Sequence, residues 1–151
     1  MKKLFFLAVF FIGFSAFAQE EVTLNWLTDF DKAKKISKKT NKPILIYFTG
    51  SDWCPPCKML KEAYFYTEKF EEKSEEFVLV MADLPRRTDI ITDKQRKENI
   101  KLASKYNKKG SYPNIVIVDY KGKEIDNISG FNMMRDTSRH ERFINKIIEN
   151  Y

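Results

Sequence analysis

Apolar and polar positions along the chain follow two different periods. Continuous apolar runs at Ile44-Leu45-Ile46-Tyr47-Phe48 and Phe77-Val78-Leu79-Val80-Met81 have the pattern of strands covered on both faces. Asn114 to Asp119 reads as a third strand. Tyr120-Lys121-Gly122-Lys123 then forms a hairpin turn into a fourth, Glu124 to Ile128. Between these runs the apolar residues recur at three- and four-residue spacing, the signature of amphipathic helices. Phe30, Ala33 and Ile36 mark a helix from Asp29 to Lys39, capped by Thr28 or Asp29 and closed by Asn41-Lys42-Pro43. Met59, Leu60, Ala63 and Tyr64 mark a second helix running from Pro56 to Glu72. Thr92-x-x-Gln95 is a capping box opening a helix that continues to Tyr106. Ser138-x-x-Glu141 is another, before a stripe of Phe143, Ile144, Ile147 and Ile148. Residues 19–27 read as an extended or poorly ordered lead-in, and Leu84 to Ile91 as an irregular loop around Pro85-Arg86-Arg87.

The order is α-β-α-β-α-β-β-α. Strands alternating with helices predict an α/β fold with right-handed parallel crossovers, and the closing hairpin adds an antiparallel edge. A length of 151 residues fits one domain. No internal repeat, low-complexity tract or interdomain linker interrupts it.

The first residues change that boundary. Met1-Lys2-Lys3 is a short basic start, Leu4 to Phe14 an apolar run, and Ala16-Phe17-Ala18 a small-x-small cleavage site before Gln19. Together they read as a signal peptide over 1–18, removed on export to leave a domain over 19–151. A retained membrane anchor is the weaker reading, because the run falls short of the roughly 20 apolar residues that a spanning helix needs. No cysteine lies near the cleavage site to accept a lipid. Loss of Lys2 and Lys3 leaves 25 of the 27 basic residues against 21 acidic ones, a mild excess of four. The Lys-rich stretch from Lys32 to Lys42 is the solvated face of the first helix rather than a nucleic-acid or lipid surface.

The chain's 2 cysteines are Cys54 and Cys57, in Trp53-Cys54-Pro55-Pro56-Cys57-Lys58. They stand where the first strand turns into the second helix. Orphan amides and the positive end of the helix dipole there favour a thiolate at the first sulfur. A loop of two intervening residues restricts an unfolded chain little, and 43% hydrophobic content supplies a core without a staple. The pair is therefore read as reactive, a disulfide that opens and closes. Competing chemistries fail on their requirements. Covalent haem attachment wants a His where Lys58 stands. Zinc wants four ligands, and this chain offers two cysteines and the single His140. A cysteine protease needs a His base, and His140, set in a polar segment, reads as a surface residue at a helix start.

The element order and this motif together resemble the thioredoxin superfamily over about residues 25–150. A second mark is Ser111-Tyr112-Pro113 before a strand, where members carry a cis-proline facing the active disulfide. Thr49-Gly50-Ser51-Asp52-Trp53 and Asp83-Leu84-Pro85-Arg86 look like the secreted bacterial branch. The resemblance implies a three-layer α/β/α fold around a mixed sheet of about four strands, and thiol–disulfide exchange with other proteins in the periplasm or cell envelope. It requires no bound cofactor and no metal. Cys54 is the expected attacking thiolate and Cys57 the resolving thiol. Trp53 is expected to shield the disulfide and, with the Tyr112 backbone beside a cis Pro113, to contact substrate. A membrane or envelope electron donor would re-reduce the pair of a monomeric protein.

Two features bear on the direction of electron flow. Strong oxidases of the superfamily place a His between their cysteines. Here Pro55 and Pro56 stand there and donate no amide, leaving the Cys57 amide and the dipole to lower the Cys54 pKa only modestly. This favours a reductant or isomerase-like role. Many thioredoxins also bury an Asp in the preceding strand for proton transfer. Tyr47 or Phe48 takes that place, leaving either Asp52 or water as relay or a slow resolution by Cys57. The alternative reading is a binding module that presents the Tyr112-Pro113 groove to partner or unfolded proteins, with redox activity secondary. Arg86 and Arg87 mark either a solvated loop or a partner contact.

Overall fold

All six residues of strand β1, Ile44–Thr49, are buried, as their unbroken apolarity requires. In the computed structural model, which describes residues 22–151, β1 lies at the centre of a four-stranded sheet. Its neighbours are β2 (Val78–Asp83) and β3 (Asn114–Val118), and β4 (Glu124–Ser129) lies beyond β3, giving the order β2-β1-β3-β4. Strand β1 pairs in parallel with β2, Ile44 opposite Val78 and Thr49 opposite Asp83. It pairs antiparallel with β3, Phe48 opposite Asn114. The β3–β4 hairpin is antiparallel, with a register shift at Ile117/Val118. Residues 1–18, read from the sequence as a signal peptide, lie outside the described residues.

Alternation along β1 and β3 sorts the core into two halves. Leu45, Tyr47, Ile115 and Ile117 face one side, against Cys54, Cys57, Leu60, Phe65, Phe70, Ile144 and Ile147. Ile44, Ile46, Phe48, Val116 and Val118 face the other, against Ala33, Leu102 and Tyr106. Helices α1 (Phe30–Thr40) and α4 (Asp93–Tyr106) thus cover one face. Helices α2 (Pro55–Leu60), α3 (Glu68–Ser74) and α5 (Ser138–Asn150) cover the opposite one. This is the expected three-layer α/β/α architecture.

Four details differ from the sequence reading. Only the β1–β2 crossover is parallel. Midway along α4 the Asn99 side-chain amide donates to the Asp83 carbonyl at 2.7 Å, and at the helix end Asn114 Nδ2 donates to the Asn107 cap at Oδ1, 3.1 Å. Both ties sit at one end of the sheet, so β3 starts where β2 stops and runs antiparallel. The second helix is also not continuous from Pro56 to Glu72. It passes into a π-turn over Lys61–Phe65, breaks at Tyr66, and restarts with Thr67 as cap of α3, its side chain accepting from the Phe70 amide. The extra residue of the π-turn turns Tyr64, Phe65 and Phe70 into one aromatic cluster, with ring centroids 4.8–5.7 Å apart.

The two capping boxes are the other departures. The Thr92 side chain does accept from the Gln95 amide, but Gln95 Nε2 donates to the Thr28 carbonyl and Asn99 Oδ1 instead of closing the box. Thr137, not Ser138, precedes α5, and Ser138 donates to Asp136. Of the α5 stripe, Ile144 and Ile147 are buried while Ile148 is exposed. Ahead of α1, whose first turn is capped by Asp29, the lead-in is tied down. The Leu27 amide donates to the Leu79 carbonyl and the Met81 amide to the Leu27 carbonyl, each at 2.9 Å.

Candidate active site

Strand β1 ends at Thr49, whose carbonyl accepts the Leu84 amide at 2.9 Å, so the loops after β1 and β2 leave the sheet side by side. Gly50 then makes the turn. Its carbonyl accepts both the Trp53 amide at 3.2 Å and the Cys54 amide at 2.9 Å. A Cβ at Gly50 would lie 2.3 Å from the Trp53 indole, so a side chain at this position and the ring cannot share the space. Trp53 Nε1 donates to the Leu84 carbonyl at 2.8 Å. The Ser51 amide donates to Asp83 Oδ1 at 2.9 Å. Asp52 accepts from the amides of Arg86 (3.0 Å) and Arg87 (2.9 Å). These backbone hydrogen bonds, Arg87 first, hold the Asp52 carboxyl below the usual carboxylate range. Both of its oxygens are occupied in clamping the loop, which argues against the relay role expected for it.

Cys54 caps α2 in an extended conformation, and its Sγ accepts from the Cys57 amide at 3.3 Å. Its carbonyl accepts from the amides of Cys57 and Lys58. Pro55 and Pro56 occupy the opening positions of the helix, where a missing N–H costs nothing. The two cysteines are joined as a disulfide, with Cα atoms 5.3 Å apart. Cys54 is 3% exposed and Cys57 1%. Both cysteines are thus almost wholly covered. Trp53 and Tyr112 cover this corner, packed edge to face with centroids 5.3 Å apart. The Tyr112–Pro113 bond is cis, as expected. The Pro113 carbonyl accepts the Gly130 amide at 2.8 Å, tying this segment to the loop after β4.

Four residues have sharper positions than the sequence reading allowed. Tyr47, on the cysteine side of β1, donates its hydroxyl to the Cys57 carbonyl at 2.9 Å. Phe48 points into the opposite half of the core. Burial pushes the Tyr47 phenol up to about 12, so it remains a neutral donor. Arg86 lies over the Trp53 ring, its guanidinium carbon 4.9 Å from the centroid. His140 is not a surface residue. It is 2% exposed, lying between Phe131 and Tyr64 at centroid distances of 5.4 and 6.1 Å. Burial, followed by the Arg139 charge, pushes it down to about 4.

The motif of a Thioredoxin-like domain matches residues 30–138, more than half of the chain. The chain belongs to the thioredoxin-like domain family. Among solved structures this thioredoxin-like chain resembles a DsbH oxidoreductase, with TM-score 0.72 at 23% identity over 86% of this chain and 88% of that one. A poplar thioredoxin h shares the fold at TM-score 0.57 and 15% identity, over 84% of this chain and 97% of that one. Among curated proteins it is 30% identical to the disulfide bond reductase DsbH of Chlamydia pneumoniae over 103 residues, 68% of this chain and 60% of the relative. It is 28% identical to the thiol:disulfide interchange protein DsbD of Campylobacter jejuni over 114 residues, 76% of this chain and 18% of the relative. The matched region thus spans 60% or less of each curated relative's length.

Proposed function

We propose that this thioredoxin-like domain is a thiol–disulfide oxidoreductase acting on protein disulfides. The observation that carries the reading is the Cys54–Cys57 disulfide at the start of α2, flanked by Trp53 and Tyr112-Pro113. In the reduced state the Cys54 thiolate attacks one sulfur of a substrate disulfide. A Cys54–substrate disulfide forms, and the other substrate sulfur leaves as a thiolate and takes up a proton. Cys57, deprotonated in turn, attacks Cys54 Sγ, re-forms the internal disulfide and releases the second substrate thiol. Two electrons pass from the protein dithiol to the substrate.

The Cys57 amide donating to Cys54 Sγ at the start of α2 supports Cys54 as the attacking sulfur, with Cys57, one helical turn further in, as the resolving thiol. The Tyr112 backbone beside Pro113 would receive an extended substrate segment. The proline pair between the cysteines, with no His there, supports a reductant or isomerase-like direction. The N-terminal signature supports export to the periplasm or cell envelope, where a membrane or envelope donor would restore the dithiol. The names of the DsbH and DsbD relatives agree with this chemistry.

Insulin reduction in the presence of dithiothreitol tests the proposal. The wild type is expected to accelerate precipitation, Cys54→Ser to abolish the acceleration, and Cys57→Ser to accumulate a mixed disulfide through Cys54. Equal rates for wild type and Cys54→Ser would overturn the enzyme reading and leave a binding module. A reduction potential near −270 mV would agree with the reductant direction, and one near −120 mV would reverse it.

A further inference from the structure

The Arg86-Arg87 pair after Pro85 has no part in the exchange chemistry, yet it is held with unusual completeness. Asp52 takes both backbone amides from the front. From behind, Arg96 Nη1 donates to the Pro85 carbonyl at 2.6 Å and Nη2 to the Arg87 carbonyl at 2.7 Å. The two arginine side chains then diverge. Arg87 is committed to Asp89, through Nε at 3.0 Å and through Nη2. Arg86 has no carboxylate or carbonyl partner among the described residues. Its guanidinium lies instead on the Trp53 indole, which Leu84 and Tyr112 hold in turn.

A guanidinium stacked on a ring keeps its N–H edge free for a carboxylate, which it meets through two parallel hydrogen bonds. Most surface arginines must give up rotamer freedom to make such a pair. Here backbone and ring have fixed the side chain beforehand, the condition that turns a surface charge into a selective contact. The ring beneath it belongs to the residue immediately before Cys54. The nearby carboxylates are already engaged, Asp52 by backbone amides, Asp83 by Ser51 and Asp89 by Arg87.

We propose that Arg86 is a specificity-determining residue that selects cysteine-bearing polypeptide segments carrying an Asp or Glu close to the reacting cysteine. The inference rests on the oxidoreductase reading above and adds the chemical class of its substrate. Arg86 takes no part in bond making. It raises the encounter and docking of acidic segments relative to basic ones.

The test uses three peptides of one sequence, with Asp, Ser or Lys flanking a single cysteine held as a mixed disulfide with 2-mercaptoethanol. The reduced protein transfers its two electrons to each, forming the Cys54–Cys57 disulfide and releasing peptide thiol and 2-mercaptoethanol. Rate constants are followed by tryptophan fluorescence, and products by mass. The wild type is expected to react about fivefold faster with the Asp peptide than with the Lys peptide at low salt, the scale of an exposed charge pair. The ratio should shrink toward one as the Debye length falls to a few ångströms near 1 M salt.

Arg86→Gln should bring the ratio near one, Arg86→Lys should give an intermediate value, and Arg86→Glu should invert it. Lys38→Gln removes the same charge from the last turn of α1, ahead of β1 and away from the disulfide, and should leave the ratio unchanged. The ratio is unaffected by any uniform loss of rate in a variant. A wild-type ratio of one, a ratio that persists in Arg86→Gln, or an equal fall in Lys38→Gln would overturn the inference while leaving the oxidoreductase proposal intact. No exchange with any of the three peptides would overturn both.

Discussion

Protonation of His140 should make the fold sensitive to mild acid. Its imidazole is almost fully covered by Phe131, Tyr64 and the body of α5, and Nδ1 has no hydrogen-bond partner. Burial and the neighbouring Arg139 hold it down at about 4, against an ordinary value of 6.5, while a hydrogen bond to the Gly130 backbone and the charge of Asp136 oppose them. The folded-state pKa is the lower one, so the unfolded chain binds the proton first. Stability contributed by the neutral ring is complete above pH 6.5. It falls by up to about 1.4 kcal/mol per pH unit on acidification and levels off near pH 4. Between pH 7 and pH 5 linkage gives a loss of about 2 kcal/mol.

The chain contains 1 His, and no other side chain with an ordinary pKa changes charge in that window. The carboxyls beside it, Asp136 and Glu141, are both held below their ordinary range, by hydrogen bonds from Ser138 and Lys69 respectively. Urea unfolding followed by circular dichroism at pH 7, 6 and 5 should show the decline in the wild type. His140→Phe should lack it, whatever its absolute stability. A variant that loses the same amount, about 2 kcal/mol, over this range would refute the assignment of the effect to a buried neutral imidazole.

Two further outcomes follow from the loops around the disulfide. Gly50→Ala drives a methyl group into the Trp53 indole. Overpacking of this kind should cost about 2 kcal/mol, lowering the melting temperature by roughly 8 °C for a domain of this size, with a red shift in tryptophan emission. An unchanged melt would mean that the ring lies elsewhere. Asp52→Ala frees the amides of Arg86 and Arg87, so hydrogen exchange at these two amides should accelerate by at least tenfold while the strands keep their protection. Equal protection in wild type and variant would remove Asp52 as the clamp of this loop.

The strands and the chemical centre were legible because each leaves a local trace. Strand β1 is buried along its whole length and β2 along most of it, so both read as unbroken apolar runs, and the cysteine spacing marks the turn after β1 without help from the rest of the chain. The break between the π-turn and α3 was missed because apolar spacing continues through it. The signal was Thr67, a capping residue followed by Glu68, which outweighs periodicity once Phe70 must join Tyr64 and Phe65. The direction of β3 was missed because it depends on side-chain amide contacts of Asn99 with Asp83 and of Asn107 with Asn114, which apolar periodicity does not register. His140 was misplaced for a related reason. Its immediate neighbours are Arg139 and Glu141, while the rings that cover it come from positions 64 and 131. Arg86 carries no local signal, since its significance lies in the indole beneath it.

The lead-in through Leu27 has a consequence for the company the molecule keeps. By lying alongside Val80 it caps one flank of the sheet with the chain's own backbone. A foreign polypeptide seeking to lengthen the sheet is left with β4, where Glu124, Asp126 and an irregular register make a poor template. Trimming the chain past Leu27 would uncover β2, an apolar strand with unspent amides and carbonyls. The expected result is a protein that still folds around its cysteines but clumps as its concentration rises.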